Sequence, residues 1–416
     1  MNTKQNSQIK YAFAAFLAVA VYVIMYKYCL IDLESDSLTD IIDHTALAER
    51  IYLDRFRDAW LQRPYIFWHL CVKGFIKFFH FPTIHASACT CAAFAAFTYY
   101  VTFWILEKIC NAVSKRDTCI MSSVVAFLLA FVQPLYIPWI NVYQYEGQFS
   151  INPIFNPTHM AVKPFGLLAF AAAIDLIRRY KGEGTIFWTG DRSRNKIYIL
   201  FGFFLFLATL TKPTFIYMLL PAGVIYVLIE LICALSHKDD SWKKTWNFMW
   251  KLACSCIPSL IYLLLEYSAF YLWGGTNEDA SVAIYPIFTA WHEYSADVPS
   301  SILMGMSFPI WMVITNYKYF LRSVEGRLGF LAYAVGTLEF SFFVETGNKL
   351  GHLNFAWPMM SGMLLLWVMS GARLIQLTVS EDDSLRNRIV LSVGWILLCI
   401  HFFSGLYFIS PTEYLI

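Results

Sequence analysis

The sequence predicts an all-α polytopic membrane protein with about 11 transmembrane helices, in the range 10–12. Hydrophobic residues make up 58% of the 416 residues and charged residues only 14%, and the mean hydropathy is +0.53. A soluble domain carries about a quarter charged residues. Apolar runs of about 20 residues, long enough to cross a bilayer, recur along the whole chain. Because lipid cannot satisfy an open backbone, each run is predicted to be helical.

Twelve apolar segments are candidates for these helices. They cover residues 11–31, 64–80, 86–111, 119–139, 159–177, 197–211, 213–235, 247–272, 301–316, 328–344, 355–371 and 389–410. Segment 64–80 contains Lys73, Lys77 and His80, which suits a helix lying in the membrane interface. If this segment does not span, the loops rich in Lys and Arg all fall on one side, as the positive-inside rule requires. We therefore predict eleven spans, with the N-terminus cytoplasmic and the C-terminus outside.

This topology predicts one membrane domain over residues 1–416, with its chemistry on the outer face. The predicted extracytoplasmic loops are 32–85, 140–158, 273–300 and 345–354. The first loop is expected to contain two helices on the membrane surface. The cytoplasmic loops are short and basic, so we expect them to fix orientation and little else.

Composition also narrows the function classes. A net charge of +2 provides no basic stripe for a nucleic acid. The ten cysteines lie mostly inside predicted spans, where cysteine acts as a small apolar residue, so no disulfide framework and no metal site are expected. The N-terminal apolar run is too long for a cleavable signal and is predicted to be an uncleaved anchor. Asp175 and Glu230 are expected near the cytoplasmic boundary, and the few ionisable groups in spans argue against ion-coupled transport.

The first loop opens with the acidic stretch DLESDSLTDIIDHTALAER at 32–50. Read as a helix from Ser37, it places Asp36, Asp40, Asp43 and His44 along one stripe. Asp40 and His44 are i, i+4 neighbours, so a hydrogen bond between them is expected. A carboxylate at such a position suits a general base. Two plainer interpretations stay open, a capping box formed by Ser37 and Asp40 or a solvated helix face.

Cations and turn residues mark the other outer loops. His159 and Lys163 follow two Asn-Pro turns at i, i+4 spacing, and Lys212 lies at the turn between two predicted spans. The predicted donor phosphate-binding residues are His159, Lys163, Lys212, Lys349 and His352. The predicted substrate-binding residues are Asn152, Asn156, Trp291, His292 and Glu345. Snorkelling lysines, an ion pair of Glu345 with Lys349 and an interfacial role for the aromatic residues are the alternatives.

The stretch LQRPYIFWHLCVKGFIKFFHFP at 61–82 follows the acidic loop. A single anchor, a long acidic outer loop and this Pro-aromatic-Trp-His stretch resemble the start of the GT-C superfamily of membrane glycosyltransferases. The likeness covers roughly the first 110 residues and the parity of the helices. It implies a GT-C-like fold, a polyprenyl-phosphate sugar donor and a catalytic Asp from the first loop. One departure is that Asp40-Ile-Ile-Asp43 stands where the family has Asp-x-Asp.

Together these features predict an inverting glycosyltransferase on the outer face of a bacterial plasma membrane. Asp40 or Asp43, with His44, is the candidate catalytic group, and the cations hold the donor phosphate. The acceptor is expected to be a cell-envelope glycan or a lipid. No cofactor is required, although Mg²⁺ or Mn²⁺ bound to carboxylates is an option. A lipid-linked glycan flippase and a polysaccharide polymerase or ligase are the alternative functions.

Overall fold

The computed structural model describes residues 3–35, 39–51, 56–114, 116–188, 195–236, 241–273, 281–346 and 353–410. These residues form sixteen α-helices, one π-helical turn and one short β-ribbon, which confirms a helical membrane protein. The helices are α1 (Thr3–Glu34), α2 (Asp40–Arg50), α3 (Phe56–Gln62), α4 (Phe67–Phe79), α5 (Thr83–Val113), α6 (Cys119–Phe131), α7 (Pro157–Lys181), α8 (Lys196–Thr211), α9 (Thr214–Ser236), α10 (Ser241–Tyr267), α11 (Thr289–His292), α12 (Val298–Thr315), α13 (Tyr317–Arg322), α14 (Val324–Phe342), α15 (Ala356–Thr378) and α16 (Leu385–Phe408). The π turn covers Ser268–Leu272, and strands β1 (Val282–Ile284) and β2 (Phe343–Glu345) pair antiparallel.

Each of the twelve predicted apolar segments overlaps one of these helices. Eight helices in the described part of the chain are long and apolar enough to cross a membrane, namely α1, α5, α7, α9, α10, α12, α15 and α16. Helix α4 has only 13 residues, or about 20 Å at 1.5 Å per residue, against a hydrocarbon core of about 30 Å. A straight helix of this length does not by itself reach across the hydrocarbon core.

The first loop contains three short helices, α2, α3 and α4, rather than the two predicted. Helix α2 begins at Asp40 rather than near Ser37, which lies outside the described residues together with Asp36. Thr39 occupies the N-cap position in an extended conformation, and its hydroxyl donates to Asp32 Oδ2 at 2.8 Å. The start of α2 is thus fixed by the buried carboxylate at the end of α1.

The chain divides into two compact units. The second unit contains Cys29–Cys91 and Phe155–Asp279, and α7 is its central helix because nearly every side chain of α7 is buried. Asn156 caps this helix, Pro157 occupies its first position, and Gly182 ends it in the left-handed conformation. Gly166 allows the Phe215 ring of α9 to approach closely, since a Cβ there would lie 2.3 Å from that ring.

The first unit contains Met1–Tyr28, Ala92–Ile154 and Ala280–Ile416, and α15 is its most buried helix. Helices α14 and α15 approach each other at two glycines. A Cβ on Gly336 would lie 2.8 Å from the Met359 backbone, and one on Gly362 would lie 2.8 Å from the Ala332 backbone. Small residues of this kind let membrane helices pack with their backbones close together.

The predicted span 119–139 is helical only to Phe131, and the chain continues as an extended segment. Pro134 explains this ending, because proline lacks the N–H that a helix requires and disfavours helical conformation in the preceding residue. Within the first unit, Gln133 N donates to His401 O at 3.1 Å and Leu135 N donates to Met304 O at 2.9 Å. Backbone without helix or sheet is tolerated at membrane depth when protein groups satisfy it in this way.

Candidate functional site

The amide of Asn156 connects the acidic helix α2 to the first turn of α7. Its Nδ2 donates to Asp40 Oδ2 at 2.5 Å, and its Oδ1 accepts from the backbone N–H of His159 at 2.8 Å. The same Oδ1 accepts from Lys212 Nζ at 3.1 Å. Because only an oxygen accepts from a backbone N–H, the helix cap fixes which way the amide points. We call Asp40, Asn156, His159 and Lys212 the Asn156 cluster, and it lies entirely within the second unit.

The local sequence Asn-Pro-Thr explains why this amide lies where it does. Asn156 is an N-cap, and Pro157 presets the backbone for the first helical residue. Thr158 Oγ1 donates to Asn156 Oδ1 at 3.0 Å, which further restricts the amide. The N-terminus of α7 also carries the positive end of the helix dipole, which favours a nearby anion.

The structure distinguishes the two candidate carboxylates. Asp40 is half-buried, bonded through one oxygen to Asn156, and its other oxygen has no hydrogen-bond partner among the described residues. Asp43 is exposed one turn further along α2 and makes no hydrogen bond within the described part of the chain. Asp40 is therefore the carboxylate that is both positioned and still able to accept a proton.

His44 does not bond Asp40 as the i, i+4 spacing predicted. Its Nδ1 lies 2.8 Å from His69 Nε2 of α4, and both imidazoles are buried. Burial lowers the pKa of His44 well below its usual range, and His69, Lys212 and Arg63 lower it further. Burial, with help from Arg63, lowers the pKa of His69 to about 3. The two histidines are therefore neutral at pH 7, and one ring donates its N–H to the other.

Three predicted phosphate-binding residues come together in the second unit. Lys212 is buried, and burial lowers its pKa to about 7, with Asp40 opposing the shift and Arg63 adding to it. Lys163 and His159 are buried one turn apart on α7, and His159 lies within electrostatic range of both lysines. These groups bring two amino groups and an imidazole together beside the N-terminus of α7.

Two further residues of this region were not predicted as site residues. Arg63 acts electrostatically on His44, His69 and Lys212, and His69 pairs with His44. Both belong to the stretch RPYIFWH, on which the family resemblance rests. The resemblance was the only available signal, because neither residue lies at a regular spacing from the acidic stretch.

A polar and aromatic group lies elsewhere in the second unit. Tyr262 OH donates to Pro64 O at 2.5 Å and accepts from Trp60 Nε1 at 3.2 Å. One turn further along α10, Glu266 is buried with neither carboxyl oxygen hydrogen-bonded to any described residue. A buried carboxyl group without partners is costly.

The predicted substrate-binding residues of the first unit mostly have protein partners. Asn152 is buried, and its Nδ2 donates to the carbonyls of Leu129 and Val132 at 2.8 and 3.1 Å. Trp291 is buried with its indole N–H bonded to Gly147 O at 2.6 Å.

The other predicted residues of this unit lie in or near loops. His292 Nδ1 is 3.1 Å from Ser295 O. Glu345, on strand β2, accepts a hydrogen bond from Asn354 at 2.5 Å. Lys349 and His352 lie outside the described residues.

Within the described residues, no three His, Cys, Asp or Glu side chains come together as metal ligands. In the Asn156 cluster the carboxylate of Asp40 instead shares an amide with a lysine. No model of a known protein family matches the sequence, and no curated protein matches it at a significant level.

Proposed function

We propose that this protein is a membrane glycosyltransferase of the GT-C type, which moves a sugar from a polyprenyl-phosphate carrier to an acceptor hydroxyl. The observation that carries the proposal is the Asn156 cluster. A single amide holds a carboxylate with a free oxygen beside a buried lysine and a helix N-terminus. A base and an anion-binding set at one place are what a transfer from a phosphate ester requires.

In the proposed reaction, the acceptor hydroxyl oxygen bonds to C1 of the sugar on the face opposite the phosphate. The bond between C1 and the phosphate oxygen breaks, and its electron pair stays on the phosphate. The hydroxyl proton passes to the free oxygen of Asp40. The configuration at C1 is inverted, and the products are the glycosylated acceptor and the polyprenyl phosphate.

The cations stabilise the phosphate as it leaves. Lys212 and Lys163 supply positive charge, and His159 and the N-terminus of α7 supply hydrogen-bond donors and the helix dipole. In a buried site these interactions are stronger than in water, so no separate acid is needed for the leaving group. The hydrophobic tail of the carrier suits a chain made largely of apolar helices.

Asp40→Asn tests the base against a matched control, Asp43→Asn on the same helix. We expect Asp40→Asn to lower the rate of sugar transfer by about 10²–10⁴-fold while the donor still binds, because only the proton acceptor is lost. The exposed Asp43→Asn variant should keep nearly full activity. The assay follows radiolabelled sugar from the lipid carrier to the acceptor, with donor and product separated by thin-layer chromatography. Full activity of Asp40→Asn would refute the assignment of the base.

Mass spectrometry of lipids retained after purification in mild detergent tests the donor. A polyprenyl phosphate or its sugar ester should be present in the wild type and lost from Lys163→Ala and Lys212→Ala. A lipid-linked glycan flippase would bind the same lipid. In that case the Asp40→Asn variant should still move the lipid across the membrane of a vesicle. Ordinary phospholipid alone, unchanged by the lysine variants, would refute donor binding at this site.

The proposed location is a bacterial plasma membrane, with the Asn156 cluster on the extracytoplasmic side. The proposed eleven spans are the eight long apolar helices together with α6, α8 and α14. The extended segment after Phe131 adds to the reach of α6, which is otherwise only 13 residues long. The acceptor is proposed to be a glycan or lipid of the cell envelope.

A further inference from the structure

A polar cavity of about 300 Å³ lies in the first unit, where α12 and α15 end and α16 begins. Three cations line it, Lys318, Arg373 and Arg386, against one carboxylate, Asp382. Three positive charges and one negative charge leave the lining with a net charge of +2. None of these residues belongs to the Asn156 cluster, and the sequence alone suggested only that such cations fix orientation.

Arg373 is held in a fixed position while keeping donors available. Its Nε donates to Asn316 Oδ1 at 3.0 Å, and one terminal nitrogen lies 3.4 Å from Gln376 Oε1. The guanidinium carbon lies 5.5 Å from the centre of the Tyr319 ring. A guanidinium has five N–H donors, so most of them have no partner among the described residues. A guanidinium already oriented by an aromatic ring loses less freedom when it binds an oxyanion.

Other donors line the same space. One terminal nitrogen of Arg386 donates to Thr315 O at 3.1 Å, which places its guanidinium at the end of α12. The carboxylate of Asp382 accepts the backbone N–H of Ser384 at 3.0 Å, so its charge is partly satisfied locally. The other charged groups of the lining are the donors Lys318, Arg373 and Arg386, so an anion rich in acceptors is the complementary ligand.

We propose that this cavity binds a phosphate ester of net negative charge, the group that anionic phospholipid headgroups share with soluble phosphate compounds. Three helices that bound the cavity, α12, α15 and α16, are long and apolar enough to cross a membrane. The cavity therefore lies at the level where such helices leave the hydrocarbon. Basic pockets between helix ends at this level bind lipid phosphates, and the planar arginine fork matches phosphate oxygens.

The test uses the full-length protein in dodecyl maltoside. The thermal unfolding midpoint is measured with added dioctanoyl-phosphatidylglycerol, with dioctanoyl-phosphatidylcholine and with inorganic phosphate. We expect phosphatidylglycerol to raise the midpoint and phosphatidylcholine to leave it unchanged. Arg373→Gln and Lys318→Gln should each require about tenfold more phosphatidylglycerol for half the shift, the effect of losing one charged hydrogen bond.

Arg322→Gln is the matched control, because Arg322 is an exposed cation on α13 that does not line the cavity. The Lys318→Gln variant should fold normally, because Lys318 is exposed and makes no hydrogen bond among the described residues. A weaker response in this variant therefore reports lost binding and not misfolding. If inorganic phosphate raises the midpoint with the same dependence on Arg373 and Lys318, the ligand is a soluble phosphate. Equal responses to the two lipids, no response at all, or an equal loss in Arg322→Gln would each overturn the proposal.

Discussion

At the scale of single residues, Asn156 has two separable tasks, capping a helix and binding the side chains of Asp40 and Lys212. Its oxygen caps α7 and accepts from Lys212, and its nitrogen holds the carboxylate of Asp40 at 2.5 Å. A serine at this position can cap a helix equally well, but its short hydroxyl cannot also reach the carboxylate. The two tasks can therefore be tested apart.

We expect Asn156→Ser to keep the unfolding midpoint close to that of the wild type and to lower the rate of sugar transfer. Asn156→Ala should lose transfer as well, and about 1 kcal/mol of stability with the cap. Thermal unfolding in detergent and the transfer assay measure the two effects separately. Normal transfer by Asn156→Ser would show that holding Asp40 is not needed for activity.

Lys212 gives the site a dependence on pH. With a pKa of about 7, the lysine carries its charge below pH 7 and loses it as the pH rises. Binding of a polyprenyl phosphate to the protein in nanodiscs should therefore weaken between pH 6 and pH 9. In Lys212→Arg the guanidinium stays charged throughout this range, so its binding should weaken less as the pH rises. An identical pH profile in the two proteins would contradict the role of Lys212.

At the scale of the elements, hydrophobic length predicted helices well, and it predicted contacts between them poorly. All twelve apolar segments overlap helices, because burial and lipid both favour them. The segment 119–139 is helical only to Phe131, because hydrophobic length takes no account of Pro134 within the run. Asn156 was predicted as a site residue because it lies in an Asn-Pro turn. Its hydrogen bond to Asp40 joins two residues that are 116 positions apart in the sequence. Spacing rules cannot predict a contact at such a separation.

The extended segment after α6 makes a prediction about Asn152. This side chain satisfies the carbonyls of Leu129 and Val132, so Asn152→Leu leaves a buried carbonyl unpaired at a cost of about 1–3 kcal/mol. We expect a lower unfolding midpoint but an unchanged KM for the sugar donor. A raised KM with an unchanged midpoint would instead support a substrate-binding role for Asn152.

The packing of α7 against α9 makes a second prediction, in which two glycines differ. A methyl group on Gly166 would meet the Phe215 ring at 2.3 Å, whereas one on Gly223 meets nothing within 4 Å. Gly166→Ala should destabilise the protein by about 1–3 kcal/mol through overpacking. Gly223→Ala should leave stability unchanged or raise it by about 0.5–1 kcal/mol, because alanine favours a helix. Equal midpoints for both variants would contradict this close approach.

At the scale of the whole molecule, the placement of α4 decides the topology. If α4 lies on the membrane surface, the chain after His80 is still outside, and every later loop follows from that. Alkaline phosphatase fused after His80 should therefore be active, while the same fusion after Ser236 should be inactive. The second fusion controls for export of the reporter itself. An inactive fusion after His80 would put the basic loops on the wrong side of the membrane.

The extended segment after α6 also concerns the order in which the protein is made. Carbonyl groups of α12 and α16 accept hydrogen bonds from its backbone N–H groups. The ribosome produces these two helices some 170 and 250 residues later. Until those helices arrive, the segment has amides and carbonyls that lipid cannot satisfy. The early helices of the first unit therefore stay incompletely packed during synthesis. Water, lipid headgroups or a chaperone must satisfy the exposed backbone groups in the meantime. Final assembly of this unit therefore depends on α16.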